Sequence, residues 1–200
     1  MNIFKRTALL IFIMTGLYGC TDTSSNPSEN TEEIWPLKVG NQWIYRIHII
    51  DSIGAAERIV LDTTTVIDSK TIDNEIWYDI YQNGIVQLKI YFKNRPDGLW
   101  AIHKAESALV YKFPAKVGDI LFENEDEKLE VISTDTSITT PAGIFKCYAY
   151  KETDYREIFG EIEITEKINY VSPNIGPVAA SVQSSNGIKS RSELIRYTLK

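Results

Sequence analysis

The strongest constraint on the fold is an alternation of apolar and polar residues that recurs along the chain. Trp43, Tyr45 and Ile47 mark the apolar positions of the first such run, and residues 86–93 and 161–170 carry two more. A period of two is the spacing of side chains on one face of a β-strand, and one apolar face beside one polar face is typical of antiparallel sheets. The pattern predicts an all-β fold, in which an antiparallel meander of hairpins forms a curved sheet, an open barrel or a sandwich.

Turn sequences separate these runs. The dipeptide Asn-Gly between alternating runs is the strongest short signal for a hairpin, and it occurs at Asn83-Gly84 and at Asn186-Gly187. The segment from Leu99 to Tyr111 is predicted as strand, turn, strand. Three further turns are predicted from Gly, Pro, Asn and Asp clusters, at residues 51–54, 95–98 and 174–177.

One motif occurs twice. The segment from Trp35 to Asn41 (WPLKVGN) returns from Phe113 to Asp119 (FPAKVGD), an offset of 78 residues, and the same offset relates KIYF at 89–92 to KINY at 167–170. We predict an internal repeat of residues 35–112 and 113–190. Half the chain alone would bury its apolar face poorly, so we expect both halves to share a single β-rich domain, residues 34–200.

The N-terminus has the features of a secretory signal peptide, residues 1–19. Lys5 and Arg6 precede an apolar run from Ala8 to Leu17, which is about half the roughly 20 residues that a transmembrane helix needs. Leu17-Tyr18-Gly19-Cys20 resembles the lipobox of bacterial lipoproteins. The resemblance implies that Cys20 receives acyl chains such as palmitate and becomes the new N-terminus.

Residues 20–33 are predicted to be a flexible, acidic and Ser-rich tether, because they offer nothing large and apolar to bury. In enteric bacteria an Asp directly after the lipidated Cys favours retention in the inner membrane, whereas here Thr21 follows Cys20. By resemblance the protein is expected in the cell envelope, at the outer membrane. The sequence leaves open whether the domain faces the periplasm or the cell surface.

A second resemblance rests on the aromatic-Pro-x-Lys-Val-Gly-Asn/Asp motif together with the segment from Thr140 to Cys147 (TPAGIFKC). With the lipobox, these segments resemble a group of β-rich bacterial envelope lipoproteins that have no assigned catalytic residues. Aromatic-Pro and Pro-Ala-Gly are turn sequences, so the resemblance informs the fold and transfers no reaction.

The charge of the chain limits its partners. The formal net charge is −6 at pH 7, and no basic run is present, so nucleic acid is not an expected partner. Anionic lipid headgroups are not expected to hold the chain by charge either. Attachment to a membrane is therefore expected through the acyl chains on Cys20, and stable attachment needs two or more such chains.

Residues that support catalysis or metal binding are sparse. His48 and His103 are predicted to be solvated, and Cys147 is predicted to be a small buried core residue without a partner histidine. No metal-ligand spacing and no cofactor fingerprint are present. The acidic run at residues 123–127 lacks the central Gly of a calcium loop and is predicted to be a solvated hairpin loop.

These observations favour a non-enzymatic, membrane-anchored binding or scaffolding module, whose ligand is a protein, a glycan or a lipid. Trp43, Trp77 and Trp100 are candidate ligand-binding residues, because aromatic side chains supply large, stiff contact areas. Core packing is the favoured alternative role for these aromatic residues. The alternative function is a surface hydrolase that acts on envelope polymers or glycans through carboxylates or a serine.

Overall fold

The computed structural model describes residues 32–50, 57–82, 89–104, 106–158 and 160–200. The regular secondary structure in these ranges consists of β-strands. The described residues contain no helix that is long and apolar enough to cross a membrane. The predictions for the signal peptide, for Cys20 and for most of the tether concern residues outside the described ranges. The strands are β1 (Gln42–Ile50), β2 (Glu57–Ile72), β3 (Glu75–Gln82), β4 (Tyr91–Arg95), β5 (Gly98–His103), β6 (Glu106–Lys112), β7 (Ile120–Glu123), β8 (Glu127–Thr140), β9 (Gly143–Ile158), β10 (Glu161–Ser172), β11 (Gly176–Ser184) and β12 (Lys189–Thr198).

All twelve strands form one antiparallel sheet in the order β6-β5-β4-β3-β2-β1-β12-β11-β10-β9-β8-β7. Each half of the chain is a meander, and the two meanders join where β1 pairs with β12. The sheet curves into a nearly closed barrel with one unsealed seam between its edge strands, β6 and β7. The prediction of an all-β antiparallel fold is confirmed, and among the predicted alternatives the open barrel is the one observed.

Most of the predicted strands and turns that fall on described residues are found where the sequence placed them. Turns join β4 to β5 at residues 96–97, β10 to β11 at 173–175 and β11 to β12 at 185–187. In the segment predicted as strand, turn, strand, residues 99–103 belong to β5 and residues 106–111 to β6, and residues 124–126 connect β7 to β8. Asn83-Gly84 and residues 51–54 lie outside the described ranges.

The two copies of the repeated motif form turns with the same hydrogen bonds. In the first copy, the N–H of Gly40 donates to the carbonyl of Val66 (2.8 Å), and the N–H of Asn41 donates to the carbonyl of Lys38 (2.9 Å). The second copy has the same two bonds, Gly118 to Val131 (2.8 Å) and Asp119 to Lys116 (3.1 Å). In both copies the turn connects the motif to a strand of the barrel wall. The internal repeat itself stays a prediction.

The segment before β1 packs into the barrel. Ile34, Trp35 and Leu37 are buried, and the rings of Trp35 and Trp43 meet edge-on with their centroids 5.4 Å apart. The indole N–H of Trp43 donates to the carbonyl of Ile175 at 2.7 Å. These contacts fill the end of the barrel where β1 begins, and the remaining interior is left for the cavity described below.

Side chains hold the seam together in place of a strand ladder. The ring of Tyr111, on β6, lies 4.7 Å from the ring of Tyr150 on β9, and the hydroxyl of Tyr150 donates to the carbonyl of Lys112 at 2.7 Å. The ammonium of Lys112 is 2.9 Å from a carboxylate oxygen of Asp119, just before β7. The two edges are thus in contact, although no ladder joins them among the described residues.

Candidate functional site

A cavity of about 540 Å³ lies inside the barrel. Strands from both halves of the chain form its wall, and Trp35 contributes from the segment before β1. Its walls are mostly apolar or aromatic; they include Tyr45, Ile47, Ile80, Phe92, Val110 and Tyr111. Pockets for small molecules are typically about 300–1,000 Å³ and lined in this way, with a few polar groups.

The strand register brings these residues together. Alternate residues of a strand point to the same face, so Tyr45 and Ile47 face the interior from β1. Tyr45 is paired with Asp62 on β2, and Thr64 two residues later is paired with Gln82 on β3. The inward register of the first half thus places Asp62 on the cavity wall beside Tyr45, Thr64 and Gln82.

Asp62 is the most unusual residue of the cavity. Its side chain lines the cavity, and the residue is only 5% exposed. Its Oδ2 accepts a hydrogen bond of 2.5 Å from Nε2 of Gln82, whereas no group of the described residues donates to Oδ1. A buried carboxylate oxygen without a donor is costly, so this atom needs an explanation.

The two tyrosines of the wall are held in their neutral form. Burial raises the pKa of Tyr45 well above its ordinary value, and the charges of Tyr111 and Asp62 raise it further. Burial also raises the pKa of Tyr111, with a smaller contribution from Glu152. The hydroxyl of Tyr45 donates to the carbonyl of Pro177 at 2.9 Å. The proton of that hydroxyl is therefore already used in a hydrogen bond within the wall of the cavity.

Other charged residues of the lining are more accessible than Asp62. Lys89 is exposed, and Asp79 is half-buried. Lys167 lies opposite Glu152 in the strand ladder, and its ammonium is 3.4 Å from that carboxylate. The cavity therefore combines a buried carboxylate with cationic groups that reach solvent.

The structure separates the three tryptophans that the sequence suggested as ligand-binding residues. Trp43 has no exposed surface and packs in the core, so it is not available to a ligand at the surface. Trp77 is 2% exposed, and Trp100 is partly exposed. The guanidinium of Arg95 lies over both of their rings, 5.2 Å from the Trp77 centroid and 4.8 Å from that of Trp100. None of the three tryptophans lines the cavity.

A carboxylate completes the cluster of Trp77, Arg95 and Trp100. Glu75 is 2.6 Å from Arg95 and 2.8 Å from Lys93, and hydrogen bonds from Lys93 and Arg95 lower the pKa of its carboxyl. Both rings of the cluster already have a cation on one face. A role of Trp43, Trp77 and Trp100 in ligand binding stays a prediction.

The remaining candidates for chemistry lie apart from one another. His48 lies 3.9 Å from a carboxylate oxygen of Glu193, and Nδ1 of His103 is 3.3 Å from the carbonyl of Lys89. Cys147 is 1% exposed, which confirms the prediction that it is buried, and burial raises the pKa of its thiol to about 12. No three His, Cys, Asp or Glu side chains of the described ranges are grouped as metal ligands. The surface hydrolase stays a prediction.

Asp62 was not predicted as a site residue, although its sequence context carries a signal for it. Thr64 and Val66 are the next two residues on the same face of the strand, and both are buried. A carboxylate in the register of the core face is a recognisable exception to the alternation. The local sequence LDTTTV has three threonines, which obscured which face was buried.

Comparisons with known proteins give a fold and no family. No family model matches the chain, and no curated protein matches it. A crystal structure from Parabacteroides distasonis, described as a "putative lipoprotein", is similar with a TM-score of 0.52 and 14% identity. The similarity covers 85% of this chain and 100% of that one. A "putative exported protein with YmcC-like fold" from Bacteroides fragilis has a TM-score of 0.49 and 15% identity, over 84% of this chain and 100% of that one. At 14% identity, the similarity to the Parabacteroides distasonis structure shows a shared fold alone.

Proposed function

We propose that the chain is a lipid-anchored, non-enzymatic envelope protein whose barrel binds one lipid-like small molecule. The observation that carries the proposal is the cavity of about 540 Å³ with apolar walls inside the barrel. Small β-barrels with an unfilled interior are suited to hold one small ligand. Of the ligands that the sequence left open, a lipid matches these walls best, because a glycan would need many more polar partners.

The anchor is the second part of the proposal. The lipobox at Cys20 supports it, as does the fold shared with a protein described as a lipoprotein. We expect labelled palmitate to be incorporated into the wild-type protein. The Cys20→Ser variant should not be labelled. If the variant is labelled equally, or stays in the membrane after its leader is removed, the anchor at Cys20 is wrong. Fractionation of the envelope then tests the expected outer-membrane location.

The binding test uses the mature chain, residues 20–200, with Cys20→Ser so that it stays unlipidated. We expect a fluorescent apolar dye, N-phenylnaphthylamine, to bind with an increase in emission. Ala180 lines the cavity and is opposite Ser192 in the ladder, so Ala180→Trp should occupy part of the cavity and clearly weaken dye binding.

Ser181→Trp is the matched control, because Ser181 is the next residue of β11 and does not line the cavity. This variant should bind the dye as the wild type does. Equal binding by both tryptophan variants, each with an unchanged melting temperature, would place the dye outside the cavity and contradict the proposal.

A further inference from the structure

The cavity is not uniformly apolar, and its one deeply buried carboxylate has an incomplete set of hydrogen bonds. Asp62 is 95% buried, since 5% of its surface is exposed, and it lines the cavity. Gln82 satisfies Oδ2, while Oδ1 receives no hydrogen bond from the described residues. A carboxylate that is buried in this way accepts hydrogen bonds strongly and gains most from a charged donor.

We propose that Oδ1 of Asp62 binds a hydrogen-bond donor on the ligand, and that the ligand is an amphiphile with a protonated amine at its buried end. The inference rests on the proposed function, because it names the ligand class of the same cavity. An amine would give Oδ1 its missing donor and would place a positive charge beside the buried carboxylate. The apolar walls would then enclose the hydrocarbon part.

The neighbouring side chains do not supply this donor. The hydroxyl of Tyr45 donates to Pro177, and the amide of Gln82 donates to the other carboxylate oxygen. The ammonium of Lys167 lies beside Glu152. The donor that Oδ1 lacks is therefore expected from a bound molecule.

The arrangement also sets the direction of binding. An anionic end would be repelled by Asp62, and the cations of the lining, Lys89 and Lys167, are both more exposed than that carboxylate. A fatty acid would therefore have to bind with its carboxylate toward the lysines. The relative affinities for an amine and a carboxylate of equal chain length therefore show whether Asp62 or the lysines orient the ligand.

The experiment measures displacement of N-phenylnaphthylamine by decylamine, decanol and decanoate below their micelle concentrations, with the unlipidated mature chain. Removing a charge-assisted hydrogen bond from a buried group typically changes affinity by roughly tenfold or more. We expect decylamine to bind roughly tenfold more tightly than decanoate, and Asp62→Asn to abolish this preference.

Asp68→Asn is the matched control, because Asp68 is an exposed carboxylate of the same strand that does not line the cavity, and the variant has the same change in net charge. It should keep the preference for decylamine, which excludes a general attraction of cations to an acidic protein. Unchanged melting temperatures show that both variants fold. Equal or tighter binding of decanoate by the wild type, or an unchanged preference in Asp62→Asn, overturns the inference.

Failure of the inference and failure of the proposed function have different signatures. If decanol displaces the dye from both wild type and Asp62→Asn while no preference for the amine exists, the cavity binds chains and Asp62 does not select them. If none of the three compounds displaces the dye and Ala180→Trp binds it normally, the cavity is not a binding site, and both proposals are wrong.

Discussion

Oδ1 of Asn41 accepts a hydrogen bond of 2.8 Å from the backbone N–H of Lys200, so the turn before the first strand is bound to the last residue. Nδ2 of the same side chain donates to the carbonyl of Pro36 at 2.8 Å. Asn41 is 2% exposed, so neither bond competes much with water. One buried amide therefore connects both ends of the barrel domain.

We expect Asn41→Ala to lower the free energy of unfolding by about 1–3 kcal/mol, because it removes a buried amide and both of its hydrogen bonds to the backbone. Urea denaturation measures the change. Gln183→Ala, at an exposed position of β11, is the control and should stay within about 0.5 kcal/mol of wild type. A loss at Asn41 no larger than that of the control would contradict this role.

A second prediction concerns two glycines with similar backbones and different surroundings. Gly176 (φ +95°) and Gly118 (φ +87°) both occupy the left-handed region. A Cβ on Gly176 would lie 2.2 Å from Cδ1 of Trp35, whereas nothing lies within 4 Å of one on Gly118. We expect Gly118→Ala to cost about 1–2 kcal/mol from backbone strain. Gly176→Ala should cost clearly more, as measured by urea denaturation, and equal costs would show that Trp35 moves aside freely.

The tryptophans should differ in their contribution to stability. Trp43 is fully buried and hydrogen-bonded, so Trp43→Ala should cost about 3–5 kcal/mol, as truncations of large core residues do. Trp100 is partly exposed under Arg95, and Trp100→Ala should cost about 1–2 kcal/mol through the lost cation–π contact and packing. Thermal and urea unfolding of the two variants check the order. The reverse order would mean that Trp43 is not in the core.

Alkaline pH should destabilise the fold. The thiol of Cys147 has a pKa of about 12 in the native state and about 8.5 when unfolded. The unfolded chain therefore loses this proton first, and the native state holds more protons between these two values. Stability should fall as pH rises through this window, by about 1.4 kcal/mol per pH unit for this one group.

The pH dependence has its own control. Cys147→Ala removes the titrating thiol, so the free energy of unfolding should fall less steeply above about pH 8.5. Burial also raises the pKa of Tyr45, Tyr111 and Tyr150, so part of the slope remains at higher pH. Identical slopes in the variant and the wild type would indicate that the thiol reaches solvent in the folded protein.

The sequence was sufficient to predict the all-β class and several of the strands, because those strands and turns have a local cause. The alternation around Trp43 gives a strand with one buried face, and Asn186-Gly187 gives a tight turn. The sequence could not show whether the strands form an open sheet, a barrel or a sandwich, because the architecture depends on the pairing of β1 with β12. That pairing joins residues as distant as Trp43 and Tyr197, and no local pattern encodes it.

The site was harder to predict for the same reason. The cavity is formed by residues from both halves of the chain, with Asp62 from the first half and Lys167 from the second half in one lining. The tryptophans drew attention because their type suits both binding and core packing, and sequence alone does not distinguish these roles. Asp62 was the informative residue, yet its meaning depended on knowing which face of β2 is buried.

The seam between β6 and β7 has a consequence for the size of the cavity. Val110 and Tyr111 of β6 form part of the cavity wall, so a shift of this strand changes the girth of the barrel. No backbone ladder joins β6 to β7 in the described part of the chain; Tyr111 of β6 contacts Tyr150 on β9, and Lys112 pairs with Asp119 just before β7. We therefore expect this side of the wall to move more easily than the sides held by ladders, so that the cavity could widen for a bulkier form of the proposed ligand.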